Sequence, residues 1–332
     1  MSKEVRYILV DTMTTSDGKP LTKMELKMFQ EVIAVYKIPK HLTQVEVVIQ
    51  SLEEAHLGLV FKGLDSKSRM QYFYGKTYVK NRKENRIETV LLMHKVWPKL
   101  AKLVQTLLTK DYNTKEYNIG LLLYICCRTF IRIGCEKFFH ANGTTGLVTM
   151  LTTSVSVVKD ILYLDFVAKD KVHQRFSLAI PDNISTTIAK KISEGNKFLF
   201  TYNNGYNRLK EMDVLDILEP LGITPKNIRT YGANCLFIVN ALQSQEKNCR
   251  KLISAAISKT AATIGHTKGI CKSAYIASQV IECVATLCKE KDDKGVRLLD
   301  AYLIPKRVVC AATDNPLTIY RTYIDKILKE AI

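Results

Sequence analysis

Lys80-Asn81-Arg82-Lys83-Glu84-Asn85-Arg86-Ile87-Glu88 holds a single apolar residue, Ile87, and the chain changes character across it. Upstream, apolar residues come in short runs separated by turn formers. Val45-Glu46-Val47-Val48-Ile49 and Leu57-Gly58-Leu59-Val60-Phe61-Lys62 read as strands, and Met70 to Lys80 as a further strand. Asp17-Gly18-Lys19-Pro20 and Leu64-Asp65-Ser66-Lys67-Ser68 read as turns, and Leu21 to Tyr36 is more helix-like. Downstream, Val90 to Leu108, Tyr117 to Arg132 and Leu252 to Ile264 repeat apolar residues every three or four positions, the period of a helix face. One β interruption occurs there: Ile161 to Val167 and Val172 to Leu178 flank Ala168-Lys169-Asp170-Lys171, a hairpin with Lys169 at its tip. The expected fold is α+β: a small β-rich N-terminal domain over 1–80, a linker over 81–88, and a larger, mainly α-helical domain with a short β-hairpin over 89–332.

The composition is globular, with 332 residues, 47% hydrophobic and 24% charged. A formal net charge of +17 favours a polyanionic partner, nucleic acid before a membrane surface. Nine cysteines show no CxxC pair and no zinc-like spacing, so reduced, mostly buried thiols of an intracellular protein are expected, with no metal. The N-terminus lacks the apolar core of a signal peptide, and the most apolar run, Gly120 to Cys127, is too short to span a bilayer.

The basic residues concentrate between Lys67 and Arg86: Lys67, Arg69, Lys76, Lys80, Arg82, Lys83 and Arg86 against one acid, Glu84. On a strand, Tyr72, Tyr74, Lys76, Tyr78 and Lys80 share one face, and Phe73, Thr77 and Val79 the other. The plain reading is a buried Phe face and a solvated Tyr/Lys face. The functional one lays the Tyr/Lys face in a DNA major groove, with tyrosines on bases and lysines on phosphates.

Five residues further on form a chemical set. Tyr275 follows His266 by nine residues in Gly265-His266-Thr267-Lys268-Gly269-Ile270-Cys271-Lys272-Ser273-Ala274-Tyr275. Arg229 lies in Lys226-Asn227-Ile228-Arg229-Thr230-Tyr231-Gly232, Arg132 in Phe130-Ile131-Arg132-Ile133-Gly134, and Lys169 on the hairpin. A phenol with an ordinary pKa of about 10 is a poor nucleophile at neutral pH. It attacks a phosphodiester only when cations hold the phosphate and drain its growing charge, and arginine suits that task best. Singly, each residue has an ordinary explanation: a helix-end arginine, a turn lysine, a helix-start arginine, a surface histidine, a half-buried tyrosine. On chemistry alone, Lys171 is an alternative to Lys169. No Gly-x-x-x-x-Gly-Lys-Ser/Thr loop suggests nucleotide binding, and no carboxylate cluster suggests a two-metal nuclease.

The order Arg132, Lys169, Arg229, His266, Tyr275 resembles the type IB DNA topoisomerases, specifically the short poxvirus-type enzymes. Ile38-Pro39-Lys40-His41-Leu42-Thr43, Gln71-Tyr72-Phe73-Tyr74-Gly75-Lys76 and Arg229-Thr230-Tyr231-Gly232-Ala233-Asn234 carry the same likeness. Ala168 stands where the family typically has glycine, and Met70 where a second basic residue is expected. The resemblance implies a C-shaped clamp around double-stranded DNA, acting as a monomer without metal, nucleotide, cofactor or membrane. It implies that Tyr275 is the nucleophile and forms a 3′-phosphotyrosyl bond. Arg132, Arg229 and His266 stabilise the transition state, and Lys169 rather than Lys171 protonates the leaving 5′-oxygen. Lys67, Arg69, Tyr72, Tyr74, Lys76, Lys226 and Asn234 are the implied DNA contacts. The implied place of action is intracellular: a virion or a site of viral DNA replication. Tyrosine recombinases share the Gly-His-to-Tyr spacing, but typically carry His where Lys226 stands, have a helical N-terminal domain and act as tetramers. A DNA-binding protein without chemistry is the remaining alternative.

Overall fold

The computed structural model describes residues 5–291, 293, 297–302 and 321–331. It is 56% helical and 16% strand, in keeping with an α+β chain. Two compact units divide it, Met1–Asn85 and Arg86–Ile332.

The smaller unit is built on an antiparallel sheet in the order β2-β1-β3-β4-β5. Its strands are β1 (Tyr7–Leu9), β2 (Thr14–Thr15), β3 (Thr43–Val48), β4 (Leu59–Leu64) and β5 (Met70–Tyr74). Two short helices, α1 (Lys23–Val35) and α2 (Leu52–Leu57), each begin with a reciprocal capping box, Thr22 with Glu25 and Ser51 with Glu54. Each cap satisfies orphan amides and contributes about 1 kcal/mol. Ile8, Phe29, Val32, Val47, Val60 and Phe61 fill the core. Strand alternation sets the faces of β5: Phe73 stacks on Phe61 at 4.5 Å, while Tyr72 is 55% exposed.

The expected strand from Met70 to Lys80 stops at Tyr74, and the expected linker over 81–88 lies within one helix, α3 (Lys76–Leu108). The cause is Gly75. A Cβ there would sit 2.0 Å from the carbonyl oxygen of Ala55, so only glycine permits the approach. The amide of Gly75 ends the pairing on the Gly58 carbonyl, and its own carbonyl accepts the first helical bond, from Val79. The Lys, Arg and Glu residues that follow are good helix formers without an apolar stripe. The supposed row Tyr72, Tyr74, Lys76, Tyr78, Lys80 is therefore split between strand and helix. Tyr78 instead stacks on Tyr74 at 4.6 Å.

The larger unit has α4 (Lys115–Thr129) at its centre, with every residue from Tyr117 to Cys127 buried. Then come α5 (Glu136–Asn142) and the antiparallel sheet of β6 (Val155–Val158), β7 (Ile161–Val167) and β8 (His173–Ala179). The β7–β8 hairpin pairs Ile161 with Ala179 through Val167 with His173, and a single 3-10 turn, Lys169–Lys171, joins the strands. Next are α6 (Asp182–Ser193), the short pair β9 (Thr201–Tyr202) and β10 (Asn207–Arg208), α7 (Glu211–Leu218), α8 (Pro225–Leu242), α9 (Cys249–Thr263) and the brief turn α10 (Lys268–Ile270). The chain continues through a π-turn, Cys271–Tyr275, into α11 (Ser278–Lys289), and α12 (Arg321–Glu330) lies near its end.

Pro98 inside α3 cannot bond the carbonyl of His94 one turn back. Arg321 of α12 bonds it instead, at 2.8 Å. The His94 ring bonds Tyr231 at 2.9 Å and Asp325 at 3.3 Å, so α12 braces α3 and α8 together. The expectation of reduced thiols is corrected at one pair: Cys249 and Cys288 are bridged, with Cα atoms 5.7 Å apart. Helix packing unites residues 39 apart in sequence, which no spacing rule reveals. Six other cysteines are not in a disulfide among the described residues, and Cys310 lies outside them. Among the described residues, no single helix is long and apolar enough to cross a membrane.

Candidate active site

Arg132, Arg229, His266 and Tyr275 meet in the larger unit. Each arrives for a local reason. Helix α4 ends because Phe130 turns left-handed (φ 55°), and Arg132 follows two residues on. Arg229 lies in the first turns of α8, which opens with a Thr224–Asn227 capping box and Pro225. His266 comes one residue after Gly265, whose φ of +67° ends α9 and whose missing Cβ leaves room for Gln174. Gln174, buried on β8, donates to the Gly265 carbonyl at 3.0 Å and so fixes the hairpin against the histidine loop. Tyr275 closes the π-turn.

The side chains are close. Nη2 of Arg132 lies 2.9 Å from Nε2 of His266 and donates to the Tyr275 hydroxyl at 3.3 Å. The His266 and Tyr275 rings lie 4.9 Å apart, and the Arg229 guanidinium is 5.3 Å from the Tyr275 ring centre. Tyr275 is 9% exposed and Arg229 3%. Arg229 donates to the carbonyls of Phe130 and Ile264, the latter at 2.6 Å. Its Nε–H is buried without a partner among the described residues. Peptide oxygens thus hold the guanidinium through Nη1 and Nη2, and the Nε–H is not engaged by them.

The electrostatics follow from this crowding of positive charge. Burial pushes the Tyr275 phenol up, but the charges of Arg229 and Arg132 outweigh it and leave the group below the usual tyrosine value. Burial, then Arg229, Arg132 and Lys169, push His266 down to about 3. The imidazole is therefore neutral at pH 7, and its Nε2 accepts from Arg132 in this unliganded arrangement. Burial and then Arg132 lower Arg229, which stays charged because its ordinary value is so high. Lys169 is exposed on the hairpin turn, with its charge felt at His266. Among the described residues no carboxylate pairs with Arg132, Lys169 or Arg229, and no three metal-ligating side chains cluster. The site can therefore receive an anion against an acidified phenol.

The implied DNA contacts fall in several places. Lys67 and Arg69 are exposed at the β4–β5 turn, but Asp65 tempers this patch. Its carboxylate bonds the Lys67 amide at 2.9 Å and pairs with the Arg69 guanidinium at 2.8 Å. Arg69 holds that carboxyl well below its usual range. Tyr72 projects outward, Tyr74 is half-buried, and Lys76 is exposed at the start of α3. Lys226 is exposed in the first turn of α8. Asn234 needs correction: it is fully buried, with its amide engaged by peptide groups. Its Nδ2 donates to the carbonyl of Tyr275 at 2.9 Å, and its Oδ1 accepts from the amide of Ala277 at 2.9 Å. It holds the tyrosine's backbone. Gln174 was missed, although it precedes inward-facing Phe176 and Leu178 on the same face of β8, and that alternation marks it as a polar residue turned to the core.

Comparison with known proteins places the chain in a family. The family described as "Eukaryotic DNA topoisomerase I, catalytic core" matches residues 76–298, and "Viral DNA topoisomerase I, N-terminal" matches residues 24–63. The chain is 33% identical over 261 residues to the DNA topoisomerase 1B of vaccinia virus (strain Copenhagen), covering 76% of this chain and 81% of that protein. It is 31% identical to the DNA topoisomerase 1 of rabbit fibroma virus (strain Kasza), covering 89% of this chain and 99% of the relative. A more distant relative, at 26% identity over 66% of this chain and 70% of its own length, is the DNA topoisomerase 1B of Acanthamoeba polyphaga mimivirus. With the core family matched from the start of α3 to beyond the tyrosine, and a viral relative matched along almost its whole length, the chain belongs to the viral type IB DNA topoisomerases.

Proposed function

We propose that this topoisomerase relaxes supercoiled duplex DNA by cutting one strand through a covalent 3′-phosphotyrosyl bond at Tyr275. The observation that carries the proposal is the meeting of Arg132, Arg229 and His266 around the buried Tyr275, whose hydroxyl accepts from Arg132 at 3.3 Å. The Tyr275 oxygen attacks the scissile phosphorus as its proton leaves to solvent. The bond from phosphorus to the 5′-oxygen breaks, and Lys169 supplies the proton that oxygen needs. Arg132 and the unused Nε–H of Arg229 take up the non-bridging oxygens. An arriving phosphate offsets the cationic field at His266, so the imidazole can regain its Nε2 proton and donate to the same oxygens. The cut strand swivels, and its 5′-hydroxyl attacks the phosphotyrosine to reseal the backbone. Each step exchanges one phosphoester for another, so no nucleotide is consumed.

The exposed basic and tyrosine residues Lys67, Arg69, Tyr72, Tyr74 and Lys76, with Lys226 in the larger unit, are the proposed contacts to DNA. The clamp, the monomeric state, and action in the virion or at an intracellular site of viral replication belong to the same proposal. The test is relaxation of supercoiled plasmid in EDTA without nucleotide, with a detergent quench to trap the adduct. Complete relaxation and a protein joined to the 3′ phosphate are expected. A strict need for ATP or magnesium, or linkage through the 5′ end, would overturn the mechanism.

The pH dependence follows from the same charges. The phenol must lose its proton, so single-turnover cleavage should rise with pH and level off below the ordinary tyrosine value of about 10. Arg132→Ala removes a cation that lowers this group, so the break should move to higher pH. An unmoved break would show that a different group sets the limb.

A further inference from the structure

We propose that Arg86 is a positioning residue for the nucleophile. The proposal rests on Tyr275 being that nucleophile. Arg86 is the first residue of the larger unit and belongs to α3, far from Tyr275 in sequence. Composition groups it with the basic run from Lys67, as one more cation for phosphates. Its guanidinium is turned elsewhere. Nη1 donates to the carbonyl of Ile276 at 2.8 Å and Nη2 to the carbonyl of Ser273 at 2.9 Å.

These two carbonyls bracket Tyr275. A helix that stops leaves its last carbonyls without amide partners. Here the π-turn ends at Tyr275, and the amide of Ala277, which could have continued the ladder toward Ser273, is taken by Asn234. The Ser273 carbonyl is thereby orphaned, and Arg86 fills the gap. With Asn234 on the Tyr275 carbonyl, the oxygens of residues 273, 275 and 276 are each held by a side chain from α3 or α8. The two grips do different work. Asn234 fixes the peptide at Tyr275 itself. The planar fork of Arg86 fixes the distance between the turn before it and the strand-like residue after it. A lysine could reach one carbonyl but not span both in that geometry. A cation at the carbonyl end of a helical turn is also favourable to the local dipole. The arrangement sets where the phenol oxygen lies relative to Arg132 and Arg229. Misplacement of a reacting group by 1 Å costs on the order of 10²-fold in rate.

The experiment uses the full chain carrying Arg86→Ala or Arg86→Lys, and a duplex whose cleaved 5′ segment dissociates, so that one turnover is read. For Arg86→Ala the cleavage rate constant at saturating DNA should fall about 10²-fold. The final adduct yield, DNA affinity and salt dependence should be unchanged. Arg86→Lys should fall between. Both variants should be slowed equally on DNA with a 5′-bridging sulfur, because the defect lies at the nucleophile and not at the leaving group. Weaker DNA binding with a normal rate constant would overturn the proposal and make Arg86 a phosphate contact. A reduced yield at a normal rate constant would also overturn it, because that marks a partly unfolded population. If the alanine variant does not fold, the lysine variant decides alone, and a wild-type rate constant there rejects the proposal. Tyr275→Phe run in parallel keeps the two readings apart: persistent adduct in that variant would reject the nucleophile itself, whatever Arg86 does.

Discussion

Tyr275→Phe should abolish the covalent protein–DNA adduct and all relaxation, by roughly 10⁴-fold or more, the scale on which removing a nucleophile acts elsewhere. The ring stays, so its contact with His266 and its enclosure in the site are kept. What goes is the oxygen, together with one hydrogen bond from Arg132 at 3.3 Å. Such a bond contributes about 1 kcal/mol to folding, so the melting temperature should move little. Affinity for duplex DNA should be nearly unchanged, because the arginines proposed to meet the phosphate are untouched. Denaturing gels with end-labelled DNA read the adduct, and filter binding reads the affinity. An adduct that persists would assign the chemistry to another of the sixteen tyrosines.

The second large effect concerns Lys169. Its replacement by alanine should slow cleavage of ordinary DNA by about 10² to 10⁴-fold, the usual contribution of a positioned proton donor. On DNA whose 5′-bridging oxygen is replaced by sulfur, the same variant should cleave at nearly the wild-type rate. A thiolate leaves without help, whereas an alkoxide does not. Lys169 is exposed on a turn, so its loss should not disturb the fold. Equal slowing on both substrates would show that Lys169 places the phosphate instead. Rescue of Lys171→Ala, but not of Lys169→Ala, would transfer the role to its neighbour.

What could be read from the sequence was what local pattern encodes. The β7–β8 hairpin was legible because Leu162, Leu164 and Phe166 alternate with Tyr163, Asp165 and Val167, and the structure buries the first three and exposes the others. Helix α9 was legible from its apolar period. Arg132, Arg229, His266 and Tyr275 were recognisable through motif order, and the fold brings all four together. The start of α3 was not legible, because it depends on Gly75 meeting the backbone at Ala55 and His56, a contact between distant segments. The role of the C-terminal segment was hidden for the same kind of reason. The helix was read through Pro98, but the partner that Arg321 supplies to the His94 carbonyl was not. Asn234 read as a polar residue for a ligand, because nothing in its neighbourhood announces that it will be sealed against the Tyr275 peptide.

The anchoring of Arg229 bears on how the site behaves over repeated cycles. A cation in water must shed part of its hydration shell, and one paired with a carboxylate must change partners, before it can meet a phosphate. Arg229 does neither. Its charge is already dry and already faced by the fixed dipoles of the Phe130 and Ile264 peptides, which cannot swing away or compete as a full negative charge would. The dehydration of that guanidinium is incurred once, when the chain folds, and not again at each cleavage and resealing. Under the proposed mechanism, whose cleavage and resealing pass through the same transition state, reorganisation at this residue is thereby removed from the barrier in both directions.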